Sequence, residues 1–160
     1  MATAIAIDRT IEYSSNRIAF GSKLIELPAY RARLDAMEKA LNSSRHITYM
    51  AALLKDMSSN DRDCAGPAAV AKVNASETAG TIANESIEMC GAHGIFGGEL
   101  NRARDDTDIC RIGEGANGML IAEVIPSLAD EKWKGYLARQ ETLNRSMKPQ
   151  LQDHSYEELL

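Results

Sequence analysis

Apolar positions along most of this 160-residue chain recur at three- and four-residue steps, the period of an amphipathic helix. Ala6, Arg9, Tyr13 and Arg17 follow that step through Ala2 to Ala19. No Gly or Pro interrupts the segment, and Phe20-Gly21 closes it with a glycine suited to a left-handed C-terminal position. Pro28 then stands where a first-turn proline is tolerated, and a long helix is expected to run to about Met57. Its stripe comprises Leu34, Met37, Leu41, Ser44, Ile47, Ala51 and Leu54. Ser58 to Cys64 reads as a polar loop, and Gly66-Pro67 as the start of a third helix that reaches about Cys90. Ala69, Val73, Ser76, Gly80, Ala83 and Ile87 share one face of it, and most are small. Such a face buries little area per residue, so it requires a closely approaching partner.

Ile87 to Met119 is different in kind. Six of the eleven glycines fall between Gly91 and Gly115, where the backbone must bend or come close to another group. Ile95, Phe96, Leu100, Ile109 and Ile112 are interleaved with them and expect burial, which predicts a folded functional loop. Arg104, Asp105, Asp106 and Asp108 read as turn and cap residues within it. A fourth main helix is expected from about Asn117 to Ala129. Residues 131–160 read as a polar, partly helical extension, with an exposed helix from Glu131 to Leu143. The expected architecture is an all-α antiparallel four-helix bundle over residues 1–130, its two inner helices the longer pair.

Composition agrees with packed helices: 44% of residues are hydrophobic but only 5% aromatic, so Ala, Leu, Ile and Met must fill the core. The net charge of −5 provides no basic face for nucleic acid and no polybasic run for an anionic membrane. No apolar run approaches a membrane span, and the N-terminal segment lacks the features of a secretory signal. Cys64, Cys90 and Cys110 cannot all pair and lack metal-ligand spacing, which points to reduced thiols in the cytoplasm. The three histidines form no metal-binding pattern.

Three constellations could carry chemistry. Arg17 and Phe20 could hold a phosphate and cover a flat ring, or could be a helix-end cation and a core aromatic. Gly91, Gly94, Gly97 and Gly98 could offer amides to a pyrophosphate, or could form a plain inter-helix loop; no strand precedes them, so a Rossmann reading fails. Glu114 lies between Gly113 and Gly115. Desolvated there, its carboxylate would gain the basicity needed to remove a weakly acidic C–H proton, while the bland alternative is an N-terminal acid facing a helix dipole.

Four motifs in order bring these pieces together. YSSNRIAFG resembles Y-x-x-x-R-x-x-FG, and Ala71-Lys72 with Ala75 and Ala79 resembles an AK helix. EMCGAHGIFG resembles Q-x-x-GG-x-G-Y/F, and RARDD followed by ICRIGEGANG resembles RDA followed by I-Y-EGT. In this order and near this spacing they resemble the C-terminal helical domain of the acyl-CoA dehydrogenase family, from Ala2 to about Leu128. The resemblance implies an FAD flavoprotein that removes the α-proton of an acyl thioester while hydride passes from Cβ to the flavin. It implies that Glu114 is the α-proton base and that Arg17 and Phe20 touch the FAD diphosphate and adenine side, commonly across a dimer. It further implies that Glu88, Gly91 and Ala92 bind FAD from a neighbouring subunit, and that Ala116 and Asn117 follow the base near the flavin. Departures from the family pattern are Pro28 and Glu88, each at an expected Gln, Ala92 at the second Gly and Ala116 at the Thr.

The family's N-terminal helical domain and β-domain have no counterpart in the chain. The resemblance therefore implies a companion chain supplying them, with homo- or hetero-oligomers formed through the helical faces. The alternatives at this point are a flavin-free helical assembly subunit, a related flavoprotein reaction on another substrate, or a piece cut from a longer protein.

Overall fold

The computed structural model describes residues 2–58, 61–96 and 98–126 and the single positions 129, 134, 135 and 138. Of the expected exposed helix from Glu131 to Leu143, positions 134, 135 and 138 are described, each helical and exposed; the rest of the polar extension lies outside the described residues.

Four helices make the bundle: α1 (Ala2–Asn16), α2 (Pro28–Met57), α3 (Asp61–Cys90) and α5 (Gly98–Ile112). The short α4 (Ala92–Phe96) links α3 to α5, and α6 (Asn117–Met119) runs into a π-helical turn at Leu120–Val124. As expected, α2 and α3 are the long pair, at 30 residues each against 15 for α1 and α5. Contacts give the directions. The start of α2 meets the end of α3 through Arg33–Glu85 and Tyr30–Met89, and the end of α2 meets the start of α3 through Leu54–Cys64. Glu77 pairs with Arg111, near the end of α5, whereas Cys90 packs on Leu100, near its beginning. Each of these neighbours is antiparallel.

The interior follows from the helical stripes. Ile7 of α1, Leu34 and Met37 of α2, and Ile82 and Met89 of α3 form the main cluster, with Ile11, Ile25, Tyr30 and Leu41 packed around it. Ala6, Cys90, Leu100 and Ala103 form a second cluster, between α1, α3 and α5. Thr10 and Ser14 are fully buried on the inner face of α1. Their hydroxyls donate to the carbonyls of Ala6 (2.8 Å) and Ile11 (3.0 Å), so burial leaves neither unsatisfied. α3 touches α1, α2 and α5 and is therefore buried on more than one face, which brings Ile82, absent from the small-residue stripe, to 1% exposure. The α2 stripe fades toward its end: Leu34, Met37 and Ser44 are buried, but Leu54 is exposed.

Several sequence expectations need correction. α1 stops at Asn16, not Ala19, because Ile18–Ala19 (β1) pairs antiparallel with Ser22–Lys23 (β2). Phe20 and Gly21 turn that hairpin with φ of 56° and 84°, the pair of positive angles a two-residue type I′ turn demands. Strands two residues long carry no detectable alternation. α3 begins at Asp61, so Pro67 lies inside the helix, where it supplies no amide to the helical ladder. The largest correction concerns Ile87 to Met119. It is mostly helix: α5 adds a bundle helix where a loop is expected, and the helix expected from about Asn117 follows it, helical through residue 126 and at 129 among the described residues. Leu100, Ala103 and Thr107 recur at helical spacing and are buried against the bundle, which outweighs the glycine content around them. Arg104, Asp105, Asp106 and Asp108 are accordingly helical, not turn residues. Of the five apolar residues expected to be buried there, Leu100 alone is; Ile95, Phe96, Ile109 and Ile112 are exposed.

Candidate functional site

The true turns of the glycine-rich stretch lie at the two ends of the α4–α5 unit. Gly91 (φ 56°) breaks the chain out of α3, and residues 113–116 carry it from α5 to α6. The candidate residues divide between these ends, separated by the length of α5, roughly 20 Å at 1.5 Å per residue.

At the first end, Arg17 shares an open groove of about 520 Å³ with Arg9, Glu12, Tyr13, His93 and Glu99. Tyr13 and His93 stack there, with ring centroids 5.1 Å apart and planes 11° from parallel. Arg9 is committed to Glu12 and Glu99, whereas none of the described residues pairs with the Arg17 guanidinium. Gly91 and Ala92 are exposed beside this groove, and a Cβ built on Gly91 would meet nothing within 4 Å. Gly94 differs: a Cβ there would lie 2.8 Å from the Cα of Ile87, so this position must be glycine for α4 to fold back on α3. Phe20 presents its ring to solvent at 92% exposure from the tip of the hairpin. Glu88 is not an isolated negative charge. Arg33 of α2 reaches it at 3.1 Å while also binding Glu85 at 2.6 Å.

At the second end, Glu114 has φ 55° and Gly115 has φ 107°. Among the described residues, the non-glycine residues with positive φ are Phe20 and Glu114, both candidates from the sequence. A left-handed conformation is costly for a side-chain-bearing residue and tends to be retained where it serves a site. Glu114 lines a mainly apolar recess of about 430 Å³, with Lys72, Ala75, Ser76 and Ala79 of α3, Ile109 and Cys110 of α5, and Gly113 just beyond it. The small residues of α3 leave the space. Glu114 is exposed, so the desolvation expected for it is not supplied by the described residues.

Asn117 is buried, and its side chain is fully engaged with protein. Its Nδ2 donates to Ser76 Oγ (2.8 Å) and Glu77 Oε1 (2.7 Å), and its Oδ1 accepts from Lys72 Nζ (2.7 Å). Ala116 is exposed, and its carbonyl accepts the amides of Met119 and Leu120. Glu77 also takes two hydrogen bonds from Arg111, at 3.1 and 2.6 Å. The bond from Asn117, and after it those from Arg111, hold the Glu77 carboxyl below its ordinary value of 4.5. Sequence reading missed Ser76, Glu77 and Arg111 as partners of the turn, and Arg33 as the partner of Glu88. The available signal was the spacing of Lys72, Ser76 and Glu77, three polar groups clustered along an otherwise small-residue helix face.

None of the three cysteines is in a disulfide, and among the described residues no helix is long and apolar enough to cross a membrane.

The acyl-CoA dehydrogenase C-terminal domain family matches residues 2–128 of this chain. The mitochondrial short-chain specific acyl-CoA dehydrogenase of Homo sapiens is 36% identical over 113 residues, covering 70% of this chain and 27% of that protein. Among solved structures, butyryl-CoA dehydrogenase from Megasphaera elsdenii is similar with a TM-score of 0.71 at 26% identity, over 80% of this chain and 33% of that one. An acyl-CoA dehydrogenase from Geobacillus kaustophilus shares the fold with a TM-score of 0.72 at 22% identity, over 81% of this chain and 33% of that one. The chain thus spans about a quarter of the length of the curated relative and a third of the solved ones. With its bundle, its glycine turn and its GEGAN segment all accounted for by that match, the chain belongs to the acyl-CoA dehydrogenase family, as a counterpart of its C-terminal domain.

Proposed function

We propose that this chain is the C-terminal helical part of an FAD-dependent acyl-thioester dehydrogenase, with Glu114 as the base that removes the substrate α-proton. The observation that carries the reading is the left-handed Glu114, held between two glycines and lining an apolar recess. The Glu114 carboxylate takes the proton from Cα, and the electron pair left behind forms the Cα–Cβ double bond as hydride departs from Cβ. The chemistry FAD supplies when bound is acceptance of that hydride.

The residues present fit such a cofactor. A diphosphate needs a cation without a competing partner, and among the described residues the Arg17 guanidinium has none, in a groove whose other guanidinium is already paired. Gly91 leaves open space beside its backbone, although its amide already donates to the Glu88 carbonyl (3.0 Å), and Phe20 offers an uncovered flat ring. Glu88, a carboxylate where the family pattern has Gln, would repel a diphosphate if unpaired; Arg33 offsets that charge only in part, because its guanidinium is shared with Glu85. Ala92 and Ala116, in place of Gly and Thr, are exposed and open to backbone contacts. Asn117 reaches a cofactor only through its backbone, since its amide is already hydrogen-bonded on both sides.

The separation of Arg17 from Glu114 by the length of α5 supports a cross-subunit arrangement. In it the first cluster serves the cofactor of a neighbouring copy and the second serves its own. The exposed faces of Glu114, Ile109 and Ile112 support a companion chain carrying the N-terminal helical and β-domains, which would exclude water from the base. Cysteines outside any disulfide suit a reducing compartment such as the cytoplasm.

The test is co-expression with such a companion, followed by an absorption spectrum and an assay of acyl-thioester oxidation. The expected complex is yellow and active, and Glu114→Gln keeps the flavin band while losing at least about 100-fold in turnover. A colourless complex would favour the flavin-free assembly subunit. Turnover unaffected by Glu114→Gln would remove the base from this residue.

A further inference from the structure

The turn that carries Glu114 has little to hold it from within. The Gly113 amide donates back to Ile109 (2.8 Å), and the Ala116 carbonyl receives the amides of Met119 (2.9 Å) and Leu120 (3.1 Å). Those bonds close α5 on one side and open α6 on the other, and none spans the two. The bridge comes from α3. Lys72 Nζ donates to the Arg111 carbonyl (3.3 Å) before Glu114, and to the Gly115 carbonyl (2.7 Å) and Asn117 Oδ1 (2.7 Å) after it. An ammonium has three N–H donors, and these three acceptors use them all. Its charge also sits at the C-terminal end of α5, where carbonyls without helical partners and the helix dipole both favour a cation.

The rest of the brace repeats the pattern. Asn117, held by Lys72, donates to Ser76 and Glu77, and Glu77 receives Arg111 through two nitrogens. Both ends of the turn are thereby tied to one rigid helix, through residues one turn apart on it. Between the ties lie Glu114 and Gly115, whose φ angles of 55° and 107° are both positive.

We infer that Lys72, acting with Asn117, is a positioning residue for Glu114: it holds the left-handed turn that aims the carboxylate along the recess. This rests on Glu114 being the base. Lys72 acts through the turn and not on the acyl group, which sets the kinetic signature. Loosening the turn misplaces the base without weakening thioester binding, so kcat falls while KM stays.

Two readouts test it on the full chain, with Lys72→Met and Lys72→Arg as variants. The first is amide hydrogen exchange at Gly113, Met119 and Leu120, compared with Ile82 to Cys90 in α3. Lys72→Met is expected to speed exchange at the three turn amides by about tenfold or more while the α3 amides keep their protection, and Lys72→Arg to restore most of it. Unchanged turn exchange, or loss only in step with α3, overturns the proposal. The second readout is steady-state kinetics of the assembled enzyme. Lys72→Met is expected to lower kcat about 10- to 100-fold with KM within about threefold of the parent, and Lys72→Arg to recover it. A rise in KM at constant kcat would make Lys72 a substrate contact and overturn the positioning role. The exchange result stands independently of Glu114→Gln kinetics, so failure of the base reading and failure of the brace are distinguishable.

Discussion

Where α1, α2 and α3 meet, Ile7, Leu34, Met37, Ile82 and Met89 pack into a cluster without a charged member. Toward the other end of α3, Lys72, Ser76, Glu77, Arg111 and Asn117 are joined by hydrogen bonds to one another and to the turn around Glu114. Burial is non-directional and tolerates small adjustments of any one side chain. A hydrogen-bonded brace is directional, and it fails at the atom that is removed. The molecule uses the first to make a bundle and the second to hold one backbone segment in an unfavourable conformation. Stability and site geometry are therefore carried by different residues of the same helix.

The contrast can be broken from either side. The largest loss of stability is expected from Ile82→Ala, which empties a fully buried position where three helices meet. About 2–5 kcal/mol should be lost in denaturant unfolding, with turn and core amides losing protection together. Asn117→Ala should cost less, about 1–3 kcal/mol, because the buried Ser76 and the half-buried Lys72 and Glu77 each lose a partner. Its effect on exchange should concentrate at Gly113, Met119 and Leu120, the reverse of the Ile82 pattern.

The smallest effect belongs to Tyr30→Phe, at about 0.5–1.5 kcal/mol near neutral pH, where the tyrosine hydroxyl donates to the Met89 carbonyl at 2.9 Å. Here pH sharpens the comparison. Burial pushes the Tyr30 hydroxyl up from 10.0 to about 12, so the folded state keeps its proton longer than the unfolded chain. The raised value makes stability independent of this group below pH 10. It is then lost as pH climbs from 10 toward 12, while the unfolded tyrosine ionises and the folded one does not. Denaturant midpoints measured from pH 8 to 11 should fall more steeply for the parent than for Tyr30→Phe.

How much of this was legible in the sequence differs between the same two regions. The bundle interior could be anticipated because its signal is periodic: the Leu34, Met37 and Ser44 positions of α2 are buried as their spacing predicts. Between Leu100 and Thr107 the surrounding glycine content suggests a loop, but the helical spacing of Leu100, Ala103 and Thr107 prevails as α5. Glu114 was visible through its flanking glycines and the motif it belongs to. Its brace was not, because Lys72 lies 45 positions from Asn117 and Glu77 lies 34 from Arg111. Pairing across such separations depends on which helices become neighbours, and no local pattern encodes that. Arg33 and Glu88 illustrate the same limit: the residue that pairs with the unusual carboxylate belongs to a different helix.

The central claim is that the carboxylate of Glu114 takes the α-proton. It is tested most directly by exchange of the substrate α-hydrogen with solvent deuterium in the assembled flavin-loaded enzyme, followed by mass spectrometry. The account predicts exchange in the parent and its loss, by about 100-fold or more, in Glu114→Gln at unchanged flavin content. Exchange persisting at the parent rate in Glu114→Gln would contradict it.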